Sequence, residues 1–236
     1  MTSAKAVYKE ISIPTVLNPA SIRDLTRQLA EAEQEKSRFI VLKGGGAVFC
    51  NGLDLAWVAN SEDGDYSGDM REYAHFLKKL QNGSFISIAI VQGLVSGGGM
   101  GVVCACDEVI ADDSSSFSLP EGLLGLIPGM ILPSLLYRLS PQRIKKMVLT
   151  GKKYPAAVAL EYGIVDEISS NLSKSLNDAI TTLRACKPNA VQDMKHILYA
   201  SQLNKDELAQ MGMDILNTRL HESDIKQRLK DISDFM

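Results

Sequence analysis

Residues 91–129, VQGLVSGGGMGVVCACDEVIADDSSSFSLPEGLLGLIPG, decide the fold. They complete ISIAIVQG (86–93), a run rich in β-branched residues that reads as a buried strand, and they empty it into the triplet Gly97-Gly98-Gly99 ahead of an apolar helix over residues 102–106. EVIADD (108–113) reads as the next strand. Upstream the arrangement is the same. FIVLKG (39–44) is a short buried strand that runs into Gly44, Gly45 and Gly46, continues through the loop FCNGLDL (49–55), and leads to a helix over residues 70–80. Strand, glycine-rich turn and helix in succession place the chain in the α/β class with parallel βαβ units.

Farther out, VYKEISI (7–13) alternates apolar and polar residues like a short strand, and Pro14 and Pro19 interrupt it. Ile22, Leu25, Leu29 and Ala32 recur at helical spacing, which predicts a helix over residues 19–36 with Asn18 as its cap and Pro19 in its first turn. After Pro128-Gly129 the chain reads mostly as helix, with Gly151 and Gly163 where C-caps are expected. The polar stretch NSEDGDYSGD (60–69) reads as a mobile surface loop, placed to act as a lid.

With 236 residues, 45% of them hydrophobic, the chain is long enough for a full core. A formal net charge of −3, with Lys and Arg reading as scattered, gives no field for a phosphate backbone, so no nucleic acid is expected as partner. No apolar run is long enough to span a membrane, and the first residues lack a signal-peptide pattern, so a soluble, cytoplasmic protein is expected, with no membrane partner. Cys50, Cys104, Cys106 and Cys186 lack paired metal-ligand spacing; ordinary buried thiols and no metal site are expected.

The glycine-rich turns fail the tests for nucleotide and nucleophile sites. No Lys and hydroxyl follow them at P-loop spacing, Val102 stands where a dinucleotide fingerprint needs glycine, and Leu94 stands where a serine-hydrolase elbow needs one before Ser96. Glycines before a helix can instead pack that helix closely on a sheet, or leave N–H groups free to point at an anion. A second such loop at 51–54 favours the anion reading.

FCNGLDL together with residues 91–129 resembles the core signature of the crotonase (enoyl-CoA hydratase/isomerase) superfamily, and LNPASIRDLTRQLAEAE (17–33) and LTGKKYPAAVALEYGIVDEI (149–168) flank it in the family's order. The resemblance implies a spiral of ββα turns over residues 1–170 carrying the active site, then a helical C-terminal oligomerisation region over 171–236, in a homotrimer or hexamer. It implies that the N–H groups of Leu53 and Gly98 form an oxyanion hole that holds a thioester enolate, with Gly52, Gly97, Gly99, Pro128, Gly129 and Met130 around the substrate. Hydratases of the family carry two glutamates; here Gly101 stands at the first position, and Phe117-Ser118-Leu119-Pro120-Glu121 keeps the second. Glu121 is therefore the implied catalytic base, and burial is expected to raise its pKa toward neutrality.

One carboxylate suits dehydration or double-bond migration better than two-glutamate water addition. LKKLQNGSFISIAIVQG (77–93) and FSLPEGLLGLIPGMILPSLLYRLSPQR (117–143) resemble the dehydratases of polyketide β-branching, which implies a 3-hydroxy-3-methylglutaryl group on an acyl carrier protein converted to 3-methylglutaconyl. A one-glutamate enoyl-thioester isomerase and a non-catalytic partner subunit are the alternatives. No permanently bound cofactor is expected; the acyl group arrives as a phosphopantetheine thioester of a carrier protein or CoA. The N-terminal segment, shortened to SIPTVLNP (12–19), falls where the family grips the CoA adenine, which favours the carrier protein.

Among other candidates, His75 could line the acyl pocket or lie on an exposed helix face, and His196 and His221 read as structural. Asp54 and Asp107 read as loop-fixing carboxylates, and Trp57 and Tyr73 as core or pocket aromatics. Residues 58–72 and 128–134 are expected to shape the acyl pocket. Met211, Ile215 and Leu220 supply an apolar helix face suited to a subunit contact.

Overall fold

The structure, a computed structural model, describes residues 8–60, 66–201 and 204–233. The expected loop at 60–69 therefore lies partly outside the described residues. In chain order the first part comprises β1 (Lys9–Ser12), α1 (Pro19–Gln34), β2 (Phe39–Lys43), β3 (Val48–Cys50), α2 (Leu55–Asn60), α3 (Ser67–Asn82), β4 (Ile86–Val91), β5 (Leu94–Ser96), α4 (Gly98–Ala105), β6 (Glu108–Ala111) and β7 (Ser116–Ser118). Strand, strand and helix thus repeat along the chain, each repeat adding one strand to each of two sheets.

The five-stranded sheet runs β1-β2-β4-β6-β9, with β9 at Glu167–Ile168, and every neighbouring pair is parallel. The second sheet runs β3-β5-β7 in parallel and ends in β8 (Tyr154–Pro155), which pairs antiparallel with β7. All six residues of β4 are buried, as a central parallel strand covered on both faces requires. A strand of each repeat ends next to its counterpart, so β3, β5 and β7 deliver their following loops to one place.

The remaining elements are a 3-10 turn at Glu121–Leu124, α5 (Leu132–Arg138), α6 (Pro141–Thr150), α7 (Ala156–Tyr162), α8 (Leu172–Leu183), α9 (Pro188–Ala200), α10 (Lys205–His221) and α11 (Ser223–Ser233). Asn18 caps α1: its side chain accepts from the Ser21 N–H at 3.0 Å while the Ser21 hydroxyl accepts from the Asn18 N–H at 2.9 Å. Gly151 and Gly163 end α6 and α7 in the left-handed conformation, φ 56° and 81°.

The C-terminal helices fold back onto the spiral. Leu216, Leu220, Ile225 and Leu229 belong to the same buried cluster as Phe49 and Phe117. Leu220 is fully buried inside the chain, so it is not part of an exposed apolar face with Met211 and Ile215, which remain exposed. At about 100° per residue Leu220 falls roughly 140° from Ile215 and 180° from Met211, on the opposite side of α10, and that side is the one packed into the fold. Cys50, Cys104 and Cys106 are buried, whereas Cys186, in the turn between α8 and α9, is exposed. No helix among the described residues is long and apolar enough to cross a membrane.

Candidate active site

Two loops meet at the start of α4. Gly52 (φ 83°) and Gly97 (φ 51°) both need positive φ to turn the chain there, a conformation that costs glycine little. A methyl placed on Gly52 would stand 2.8 Å from the Gly98 nitrogen, so the Asn51–Asp54 loop lies directly against the amide that opens α4. Leu17 holds the first loop from outside: its N–H donates to the Gly52 carbonyl at 2.7 Å and its carbonyl accepts from the Asp54 N–H at 2.9 Å. These bonds use the peptide groups on either side of Leu53 and leave its own N–H undirected. Neither the Leu53 N–H nor the Gly98 N–H donates to a backbone acceptor among the described residues. The helix dipole adds partial positive charge at Gly98.

Carboxylates and hydroxyls fix these loops. Asp54 accepts from the Trp57 N–H at 3.1 Å and from the Asn18 side chain at 3.4 Å, the loop-fixing part read from sequence. Tyr73, fully buried on α3, donates through its hydroxyl to the Gly98 carbonyl at 2.8 Å and so orients the peptide plane that follows Gly98. Ser96 and Ser118 are buried and bond each other at 3.0 Å, which uses the Ser96 hydroxyl structurally.

Glu121 opens the 3-10 turn. Its Oε1 lies 3.6 Å from where a methyl on Gly97 would stand, and its Oε2 is buried with no hydrogen-bond partner among the described residues. Burial pushes its pKa up from 4.5 to about 7, against a smaller lowering by a bond from its own backbone N–H. An orphaned acidic oxygen in a native interior stores free energy that a ligand can release.

Glu121, Leu53, Gly97 and Gly98 line one cavity of about 330 Å³. Pro128 and Met130 line it as expected, and Asp69 and Met70 come from the 58–72 stretch. The wall is otherwise largely aliphatic and aromatic, with Trp57 packed edge-on to Tyr66 at 5.2 Å. Sequence reasoning missed Leu216 and Ile232, which reach the cavity from α10 and α11. No local pattern announces such a contact; it arises only from the return of the C-terminal helices.

Four residues expected around the substrate do not line this cavity. His75 opens onto a separate cavity of about 190 Å³ bordered by Lys78 and Gln81, because its position on α3 is turned away from Tyr73 and Met70. Gly129 packs backbone to backbone against Gly212 of α10, and Gly99 packs on Cys50, whose carbonyl would stand 2.6 Å from an added methyl. Gly52 supports the loop from behind. At Gly101 the missing carboxylate has left no gap: an added methyl would meet Ile131 Cγ2 at 2.6 Å and Leu77 Cδ1 at 3.1 Å.

The family model described as enoyl-CoA hydratase/isomerase matches residues 13–235. The chain is 31% identical over 184 residues to the bacillaene synthase dehydratase PksH of Bacillus subtilis, covering 77% of this chain and 71% of that protein. It is 33% identical over 173 residues to the carnitinyl-CoA dehydratase of Proteus mirabilis, covering 71% and 66%. Among solved structures, the polyketide biosynthesis enoyl-CoA hydratase PksH of B. subtilis superposes with a TM-score of 0.87 at 23% identity, over 98% of this chain and 95% of that one. An enoyl-CoA hydratase from Bacillus halodurans superposes with a TM-score of 0.84 at 19% identity, over 98% of each chain.

Proposed function

Because the chain belongs to the enoyl-CoA hydratase/isomerase family, we propose that it is a lyase that removes water from a 3-hydroxyacyl thioester, with Glu121 as its only proton-transferring carboxylate. One observation carries this reading: the Glu121 Oε2 is buried and, among the described residues, has no hydrogen-bond partner, it faces the cavity that the Leu53 and Gly98 backbone also lines, and apolar side chains fill the space where a second carboxylate would stand.

The thioester carbonyl oxygen accepts from the Leu53 and Gly98 N–H groups. Charge grows on that oxygen as the α-proton leaves, and donors already aimed at it stabilise the developing enolate by about 3 kcal/mol each in a site that excludes water. Glu121, ionised, takes the α-proton; as the enolate collapses and the bond from the β-carbon to oxygen breaks, the same carboxylic acid gives that proton to the departing hydroxide. The products are the enoyl thioester and water, and Glu121 is again a carboxylate. A pKa near 7 lets one group serve as base and then as acid.

The finer reading takes 3-hydroxy-3-methylglutaryl on an acyl carrier protein to 3-methylglutaconyl, as expected from residues 77–93 and 117–143 and in keeping with the name of the bacillaene synthase dehydratase. A second acyl class has an observation behind it. The cavity wall holds Asp54 and Asp69 and, among the described residues, no Lys, Arg or His, so it offers a glutaryl carboxylate no ion pair. Turnover of 3-hydroxy-3-methylglutaryl and 3-hydroxy-3-methylbutyryl groups on the same carrier, followed by mass for loss of one water, tests the reading. Water loss from either supports dehydration, and their ratio identifies the acyl class. Migration of an enoyl double bond without water loss would replace the proposal by the isomerase. Unchanged pathway flux in Glu121→Gln would replace it by the non-catalytic subunit. We place the protein in a homotrimer or hexamer, in the cytoplasm.

A further inference from the structure

The longest acid-free stretch bordering the site is also its most basic. Residues 122–160 contain Arg138, Arg143, Lys145, Lys146, Lys152 and Lys153 and no Asp or Glu, in a chain whose formal net charge is −3. Lys and Arg are thus not scattered, as composition implied. Arg138 and Arg143 are committed inside the fold: Arg138 pairs with Asp166 at 2.9 Å, and Arg143 bonds the Tyr162 carbonyl at 2.9 Å and covers its ring. The four lysines are different. Lys145 and Lys146 stand on the outer face of α6, Lys152 and Lys153 follow its Gly151 cap directly, all four are exposed, and none of their ammonium groups has an ion-pair or hydrogen-bond partner among the described residues.

Apolar surface lies among them. Leu149 on α6 is 68% exposed and Leu123 is 55% exposed. The Leu123 side chain covers Gly151, next to Lys152, so the two leucines and the lysines form one patch. An apolar centre with a charged rim is the anatomy of a protein docking surface. The bland alternative is a solvated helix end whose lysines complement the dipole, and that accounts for the charge but not for two bare leucines. The patch also adjoins the catalytic wall. The turn at Glu121–Leu124 directs Glu121 and Leu124 to the cavity while Leu123 faces out, and Gly122 seats the turn on α6, where an added methyl would stand 2.5 Å from the Val148 carbonyl.

We propose that Lys145, Lys146, Lys152 and Lys153, with Leu123 and Leu149 between them, dock the acidic surface of the protein that delivers the phosphopantetheine thioester. This rests on the carrier-protein reading above. The chemistry recognised is a cluster of carboxylates around a small apolar contact, with Leu123 next in the chain to the cavity-lining Leu124. Electrostatic attraction of this kind acts on encounter and on affinity for the carrier, and it weakens with salt.

The test uses the full chain, the unacylated phosphopantetheine carrier protein for binding, and pantetheine and carrier thioesters of one 3-hydroxyacyl group for turnover. The K145E/K146E/K152E/K153E variant is expected to weaken carrier binding and raise KM for the carrier thioester at least ~10-fold at low salt. Turnover of the pantetheine thioester should stay unchanged, and K187E, in the turn before α9, should change neither quantity. Leu149→Ser should weaken binding without changing its salt dependence. Equal carrier binding by wild type and the four-lysine variant, or no binding by wild type, would overturn the inference. So would patch-dependent binding of duplex DNA tighter than that of the carrier. Loss of pantetheine turnover in the wild type would instead count against dehydration itself.

Discussion

Gly98 and Gly101 lie one turn apart on α4, and their missing side chains serve opposite ends. At Gly98 an added methyl would meet only the mobile tip of Leu17, 2.6 Å away, and the Gly52 backbone at 3.5 Å. The amide there is undirected and stands beside the Leu53 loop. At Gly101 the branched body of Ile131 and the end of Leu77 already fill the side-chain position. One end of the turn is open and polar, the other closed and apolar. Position 101 therefore has no room for a second glutamate, by packing as well as by sequence.

The largest expected effect breaks the polar end. Glu121→Gln keeps the shape of the side chain and removes its proton chemistry, so kcat should fall about 10²- to 10⁴-fold on a 3-hydroxyacyl pantetheine thioester. Stability should move the other way. Folding raises the Glu121 pKa from 4.5 to about 7, so the folded protein holds a proton that the unfolded chain has released. Stability then falls as pH rises from about 4.5 to 7, by about 3 kcal/mol. Denaturant unfolding at pH 8 should find Glu121→Gln about that much more stable, and equal at pH 4.

Gly101→Glu attacks the apolar end. A carboxylate forced against Ile131 and Leu77 combines overpacking with an unpaired buried charge, and a loss of about 3 to 5 kcal/mol is expected. A variant that kept wild-type stability and gained water addition to an enoyl thioester would break the comparison. The milder pair Gly101→Ala and Gly98→Ala sharpens it: about 1 to 2 kcal/mol lost at 101 after the helix-propensity gain, and less than ~1 kcal/mol at 98. A similarly small effect belongs to Tyr73→Phe, which unties the Gly98 carbonyl and should cost about 1 kcal/mol in unfolding experiments.

Most of the fold was legible because its signals are local. The β-branched runs at 39–43 and 86–91, the Asn18 cap and the glycine ends of α6 and α7 each follow from a few neighbouring residues. The glycine loops were legible for the same reason, and Asp107 fixes its loop as expected, bonding the Ser87 N–H at 2.8 Å. Its strongest partner was not legible. Lys195 of α9 is 1% exposed and donates to Asp107 at 2.7 Å and to the Leu80 and Phe85 carbonyls at 2.9 and 3.0 Å. In sequence it is one lysine on an amphipathic helix; only docking of α9 against the end of α3 buries it. Ile232 and Leu216 in the cavity wall, and His75 outside it, have the same origin: helix rotation and long-range return set them, and no short pattern encodes either.

The most direct test of the one-carboxylate site is the pH dependence of kcat/KM for a 3-hydroxyacyl pantetheine thioester between about pH 5 and 9. If Glu121 must be ionised to take the α-proton, the rate rises with pH and levels off above an inflection near 7, the value to which burial raises its carboxyl, and that inflection is absent from the residual rate of Glu121→Gln. A wild-type profile flat through 7, or an inflection that survives in Glu121→Gln, would contradict the assignment.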